Sequence, residues 1–342
     1  MRVGAVPPPR LARLRIFSGI QPTGRKHLGN YLGAIRHYVD GQDRGDPAIY
    51  CIVDLHATTV PYEPAKLRER VLDTTAMLLA AGLDPARCIL FRQGDVPEHT
   101  ELCWHLCSVT AHGDLNRMHQ FKEKSAQQRE LISASLVLYP VLMAADVLAY
   151  RAHEVPVGDD QRQHVELTRD IALRFNATYG EVLVVPEHRI PEVGARIMDL
   201  QEPTRKMSTT AGSEQGLVYV DDEPDAIRRK LKRAVADSGR EVVRAPDKPG
   251  ISNLIEVLAV VRDAGADEVE REFDGQGYGA FKEAVAEEVV SLLAPVRKRY
   301  LELRPDNDSL EATLREGAER ARAIASETLV DVRRAMGVGP PV

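Results

Sequence analysis

Arg15-Ile-Phe-Ser-Gly-Ile20 leads into Gln21-Pro-Thr-Gly-Arg-Lys-His-Leu-Gly-Asn30, after which Leu32, Ile35 and Val39 recur at helical spacing. A short apolar run, a turn punctuated by proline and glycine, and an amphipathic period near 3.6 read as strand, loop and helix. The alternation continues downstream. Ala48–Val53 is a second strand candidate, and Pro64 opens a helix with Leu67, Val71 and Leu78 inward and Gly82 placed to end it. Ile89–Phe91 and Val182–Val185 supply further strands. Strands alternating with helices predict an α/β fold, a Rossmann-like doubly wound parallel sheet covered by helices. After about residue 205 the strand signals fade and amphipathic helices take over, at Ile227–Val235, Phe281–Leu293 and Leu314–Met336. The expected organisation is a disordered extension over 1–13, an α/β domain over 14–205, a loop with an all-helical domain over 206–336, and a tail over 337–342.

The chain has 342 residues, room for about two domains. It is 44% hydrophobic and 28% charged, and no apolar run approaches the ~18 residues of a membrane span. Met1–Arg13 is proline-rich and lacks the apolar core of a secretory signal, so a cytoplasmic protein is expected. A net charge of −6 excludes a surface that is basic all over, but local Lys/Arg clusters leave a nucleic-acid partner open. None of the four cysteines forms a CxxC pair. Cys103 and Cys107 lie four apart on an expected helix near His99, His105 and His112, without the paired spacing of zinc or iron–sulfur ligands. A Cys-rich buried helix face and no protein-bound metal are therefore expected.

Two segments carry nucleotide chemistry. Gly19–Asn30 sits at a strand-to-helix turn, where doubly wound sheets bind ligands and where the helix N-terminus offers free N–H groups to phosphate. Gly29 lets a nucleotide approach the backbone, and His27 and Asn30 can face one phosphate or ribose. It is not a P-loop, because Gly-x-x-x-x-Gly-Lys-Ser/Thr is absent. Arg205-Lys-Met-Ser-Thr-Thr210 follows Pro203 where the helical region begins. A lysine on such a loop can close over a triphosphate and neutralise charge developing on pyrophosphate. Separately, Tyr139, Met143 and Asp146 share one helix face, and the carboxylate at its end needs a partner if buried.

Together the two segments resemble the HIGH and KMSKS elements of class I aminoacyl-tRNA synthetases. Phe17–Gly24, His27-Leu-Gly-Asn-Tyr31, Gln120-Phe-Lys-Glu-Lys-Ser125, Leu142-Met-Ala-Ala-Asp146, Val155-Pro-Val-Gly-Asp-Asp-Gln161, Val193-Gly-Ala-Arg-Ile-Met198 and Lys248-Pro-Gly-Ile-Ser-Asn253 resemble the tryptophanyl-tRNA synthetase family. The likeness runs in order from about residue 15 to residue 336.

The resemblance implies ATP-dependent activation of L-tryptophan and transfer to tRNA(Trp). It implies a catalytic role for Lys206, Lys124, His27 and Asn30. It implies ATP contacts from Gln21, Pro22, Thr23, Gly29, Asn30, Gly158, Asp159 and Asp160, and from Ile197, Lys206, Met207, Ser208, Thr209 and Thr210. Ile197 and Met207 would bracket the adenine. Asp160 would accept from a ribose hydroxyl, although the paired carboxylates also permit Mg²⁺. Tryptophan would lie among Phe17, Gly19, His56, Tyr139, Met143, Val155 and Val157, with Gln161 on its ammonium group and Asp146 accepting the indole N–H. Mg²⁺ would arrive with ATP. The resemblance also implies a homodimer formed through a helical insertion in 14–205, no membrane, and a helical region that holds the tRNA anticodon. There Arg228, Arg229, Lys232 and Arg233 surround a stripe of Ile227, Leu231 and Val235.

One departure stands out: the family pattern has lysine where this chain has Thr209 and serine where it has Thr210. Two alternatives stay open at this point. A tyrosyl-tRNA synthetase shares both ATP elements and an Asp in its pocket, although Val155–Leu167 and Lys248–Asn253 favour tryptophan. A synthetase-like regulator that binds tryptophan without charging tRNA has the same motifs.

Overall fold

Strand β1 (Ile16–Ile20) is the central strand of a computed structural model that describes residues 14–118, 133–158, 161–189, 197–209 and 212–340. On one side it pairs in parallel with β2 (Ala48–Ile52), from Ile16 opposite Ala48 to Ile20 opposite Ile52. On the other side Ile16 meets β4 (Glu154–Pro156), again in parallel. β3 (Ile89–Arg92) extends the sheet beyond β2, and β5 (Glu187–Arg189) extends it beyond β4. The order β3-β2-β1-β4-β5 places the switch of direction between β1 and β4, where the doubly wound geometry opens a crevice at the carboxyl ends. Every residue of β2 is buried, as a strand covered on both faces requires.

The predicted strand at Val182–Val185 is not one. The Asn176 carboxamide oxygen accepts from the backbone N–H of Val182 and Leu183, and its Nδ2 donates to the Leu183 carbonyl. A side chain thus takes the groups a ladder would use. Pairing begins only at Glu187, in a segment whose polar residues gave no strand signal.

The first helix also departs from its simple stripe. α1 (Leu28–Asn30) passes through a π-helical stretch, Tyr31–Ile35, into α2 (Arg36–Asp43). Leu32 and Ile35 are buried as predicted; beyond the π turn Tyr38 is buried as well, while Val39 is half-buried against the same core. Tyr38 stacks on Tyr50 at 4.8 Å, and the Tyr50 hydroxyl donates to the Tyr38 carbonyl at 2.6 Å. α3 (Asp54–Ala57) follows β2, and α4 (Pro64–Ala81) starts at its proline and is capped by Gly82. α5 (Glu98–Cys107), α6 (His112–Arg117), α7 (Ala134–Leu148) and α8 (Arg162–Tyr179) complete this half among the described residues.

The helical region comprises α9 (Pro224–Lys232), α10 (Pro249–Arg262), α11 (Ala266–Glu272), α12 (Gly277–Leu303) and α13 (Asn307–Met336). Ile227 and Leu231 are buried, but α9 stops before Val235, which is 42% exposed. On one face of the sheet, Ile16, Leu32 and Tyr50 share a continuous core with Leu254, Phe281 and Leu314. On the other, Phe17, Ile49 and Phe91 pack with Val141, Val165 and Ala321. α13 contributes to both faces because it wraps the outer edge of β3. Its Gly317 lies so close to that strand that a Cβ there would overlap the Leu90 carbonyl oxygen.

That contact is testable. Gly317→Ala should force α13 away from β3 and lower stability by roughly 2–4 kcal/mol. Urea unfolding would read this as a lower midpoint at an unchanged slope. An unaltered midpoint would mean that the helix does not sit against the strand this closely.

Candidate active site

Four of the strand ends deliver a segment to one rim of the sheet. β1 leads to Gln21–Asn30, β2 to α3 with His56, β3 to Gln93, and β4 to Val157 and Gly158. Between the first and last of these lies a cavity of about 140 Å³, lined by Gly19, Tyr38, Val157, Gly158 and Gln161 among others. A Cβ on Gly19 would come to 3.0 Å from a Val53 methyl, a close approach that glycine avoids.

Asp146, near the end of α7, is 2% exposed. Its Oδ2 pairs with His56 Nε2 at 2.7 Å, while Oδ1 accepts from Gln93 Nε2 at 2.7 Å and pairs with His99 Nδ1 at 2.5 Å. Burial alone would raise its pKa, but the charge and hydrogen bond of His56, with the hydrogen bond from His99, outweigh burial and hold it at about 2. The carboxylate is therefore ionised and acts only as an acceptor. Around it, His56 meets the Tyr139 ring edge-on at 6.4 Å, and the Tyr139 hydroxyl pairs with His164 Nε2 at 2.9 Å. Phe17 and Val155 are buried nearby in the sheet, whereas Met143 is half-buried.

The first motif is fixed by a reciprocal cap. His27 Nδ1 accepts from the Asn30 backbone N–H at 3.2 Å, and Asn30 Oδ1 accepts from the His27 N–H at 3.1 Å. This arrangement puts the His27 proton on Nε2. Burial, then the charges of Lys26 and Lys206, lower His27 to about 4, so the ring is neutral at pH 7 and Nε2 donates. Lys26 is itself 4% exposed and lowered by burial to about 8, and its Nζ donates to the Gln21 carbonyl at 2.9 Å, bracing the loop from inside.

Backbone pairing ties the first motif to the segment that follows the second. The Leu28 N–H donates to Val218 at 2.7 Å, and the Val220 N–H donates to Lys26 at 2.9 Å. Lys206 bridges Met198, and the Met207 N–H donates to Ile197 at 2.9 Å. Asn253, on α10, clamps the Met198 backbone from both sides, accepting from its N–H at 2.9 Å and donating to its carbonyl at 3.1 Å. Ile197 then faces Gly29, where an added Cβ would lie 3.6 Å from its own. His27, Gly29, Asn30, Ile197, Lys206 and Met207 thus converge, with Ser208 and Thr209 half-buried beside them. Gln21 and Thr23 are exposed around buried Pro22.

Lys124, Asp159, Asp160 and Thr210 lie outside the described residues, as does the extension over 1–13. Sequence reading missed Gln93, Tyr150 and Lys26, and noticed His99 only as a possible metal ligand. Gln93 could have been found, because it immediately follows β3 on the rim where ligands bind. Cys103 and Cys107 are half-buried rather than buried. Among the described residues no cluster of three His, Cys, Asp or Glu side chains is arranged to hold a metal ion. On α9, Arg228 is committed to Glu287 of α12 and to Asp225.

Residues 10–294 match the family described as tRNA synthetases class I (W and Y). The chain is 49% identical over 332 residues to tryptophan–tRNA ligase 1 of Streptomyces coelicolor, covering 96% of this chain and 98% of that protein. It superimposes on tryptophanyl-tRNA synthetase from Mycoplasma pneumoniae with a TM-score of 0.88 at 32% identity, covering 96% and 99% of the two chains. The tryptophanyl-tRNA synthetase of Campylobacter jejuni complexed with ADP and tryptophan gives a TM-score of 0.79 at 33% identity, covering 95% and 100%.

The buried His27 has a consequence for stability. Its folded value of about 4 lies below the ~6.5 of an exposed histidine, so between these values the unfolded chain binds more protons. Stability should therefore fall as pH drops from about 6.5 to 4, in part because of this residue. His27→Asn should lose stability less steeply across that window, with a difference of roughly 1–3 kcal/mol at its acid end. Urea titrations at several pH values check this; parallel slopes for the two proteins would refute it.

Proposed function

The chain belongs to the class I tRNA synthetases of the tryptophan and tyrosine family, and we infer that it is a tryptophan–tRNA ligase. It activates L-tryptophan with ATP and transfers it to tRNA(Trp). The observation that carries the choice of amino acid is the 49% identity to a tryptophan–tRNA ligase across nearly the whole chain. The buried, ionised Asp146 supports it, since an indole N–H can only donate and requires an acceptor where water is excluded.

The tryptophan carboxylate is already ionised at neutral pH, so its attack on the α-phosphorus needs no general base. A bond forms from carboxylate oxygen to the α-phosphorus, the bond to the bridging oxygen breaks, and pyrophosphate leaves. Catalysis then rests on positioning and on stabilising the charge of the departing group. Neutral His27 donates from Nε2 and Asn30 from its amide, with the exposed Lys206 ammonium and Lys124 adding positive charge. Mg²⁺ enters as part of the ATP complex. Gly29 lets the nucleotide lie against the backbone, bracketed by Ile197 and Met207. Gln21, Pro22, Thr23, Ser208 and Thr209 line it, and Gly158, Asp159 and Asp160 reach its ribose. Phe17, Gly19, His56, Tyr139, Met143, Val155 and Val157 enclose the indole, and Gln161 takes the ammonium group. In the second step the terminal adenosine hydroxyl of tRNA attacks the carbonyl carbon of the adenylate, and AMP leaves.

The same reading makes the protein a cytoplasmic homodimer whose helical region holds the anticodon. Arg229, Lys232 and Arg233 are better candidates there than Arg228, which Glu287 already neutralises.

Purified protein should incorporate labelled tryptophan into tRNA and exchange pyrophosphate with tryptophan in strong preference to tyrosine. Preference for tyrosine, or exchange without charging, would sink the assignment. Because Thr209 stands where the family carries lysine, Lys206 bears more of the load. Lys206→Ala should lower the exchange rate by at least ~100-fold, while Thr209→Ala should change it by less than about 5-fold. Near-normal exchange by Lys206→Ala would remove the loop from the mechanism.

A further inference from the structure

Asp146 does not end the network at the floor of the pocket. His99 is fully buried and pairs through Nδ1 with Asp146, while its Nε2 lies 2.6 Å from the hydroxyl of Tyr150. Tyr150 is also fully buried, and its ring stacks on Phe17 with centroids 5.3 Å apart and planes 9° from parallel. One assignment of protons satisfies every polar atom. An ionised Asp146 can only accept, so His99 Nδ1 carries a hydrogen, and Nε2 then accepts from the Tyr150 O–H. Burial pushes the Tyr150 phenol well above its ordinary value, so that proton stays in place.

We propose that Tyr150 and His99 are positioning residues for tryptophan specificity: they fix the rotation of the Asp146 carboxylate so that one acceptor direction is left for the substrate's ring N–H. A carboxylate has about four acceptor directions. His56, Gln93 and His99 occupy three of them. If His99 could turn away, the carboxylate would be free to rotate and would meet the indole N–H with poorer geometry. Tyr150 stops that turn by holding the far nitrogen of the ring. Through its stack on Phe17, it also ties the acceptor to a wall of the same pocket. The inference rests on the reading of Asp146 as the indole acceptor, and the experiment separates the two.

The measurement is the ratio of kcat/KM in ATP–pyrophosphate exchange for L-tryptophan over its benzothiophene analogue, whose ring sulfur carries no hydrogen. Tyr150→Phe removes one hydroxyl and keeps the stack. Misdirecting one buried hydrogen bond should lower the ratio roughly 10-fold, through a higher KM for tryptophan, with the KM for ATP within about twofold of its starting value. His99→Ala should do the same or more, and His99→Asn, which restores a donor near the Nδ1 position, should recover part of the ratio. A general packing defect would weaken both amino acids alike and leave the ratio unchanged, and that result in Tyr150→Phe would overturn the proposal. Should His99→Ala fail to fold, Tyr150→Phe decides alone. If Asp146→Asn lowers the ratio while Tyr150→Phe does not, the proposal falls and the site reading stands. If Asp146→Asn leaves the ratio intact, the site reading falls and takes the proposal with it.

Discussion

Parallel pairing of β1 with both β2 and β4 is the constraint from which the rest of the molecule follows. Parallel neighbours cannot be joined by tight turns, so the chain must leave the sheet after every strand and return across one of its faces. All carboxyl ends therefore open on a single rim. Gln21, His56, Gln93 and Gly158 come from four different stretches of sequence, yet each lies shortly beyond the end of a strand. The site is a property of the sheet's direction before it is a property of any motif.

A rim built from loops still has to support charge out of water, and the two halves of the site do so in opposite ways. At Asp146 the charge is kept. Three nitrogen-bearing side chains compensate the burial of the carboxylate, and losing one of them would leave an ionised group short of partners in an apolar shell. At His27 the charge is removed. Burial and two neighbouring lysines make the cationic imidazole unfavourable, so the ring is left as a neutral donor with its other nitrogen tied to Asn30. One half thus presents a fixed acceptor and the other a fixed donor, both set before any ligand arrives.

The sequence was most readable where one local rule governed. β1, its turn and its helix could be seen because period, punctuation and capping agree. The reading failed where a single contact overrode the pattern. Asn176 withdrew Val182–Leu183 from the sheet although the apolar run there reads as strand. The stripe expected at Leu32, Ile35 and Val39 takes in Tyr38, an i+3 step from Ile35, and leaves Val39 only half-buried. His99 and Tyr150 were illegible as a pair because they lie 51 positions apart and belong to no repeat. Buried polar networks are specified by geometry in three dimensions, and sequence spacing carries almost none of it. Asp146 was the exception, since a carboxylate at the end of an apolar helix face already requires partners.

The altered end of the second motif shows which part of that loop is structural. Lys206 is set by its bridge to Met198, and Met198 is set by the Asn253 carboxamide on α10. None of these contacts involves the side chain at 209. With threonine at 209, Lys206 lies close enough to His27 for its charge to act on the ring, and Ile197 faces Gly29. The bridge to Met198 and the Asn253 carboxamide on α10 thus anchor the start of the loop. An anchor that does not use the side chain at 209 is compatible with threonine at that position.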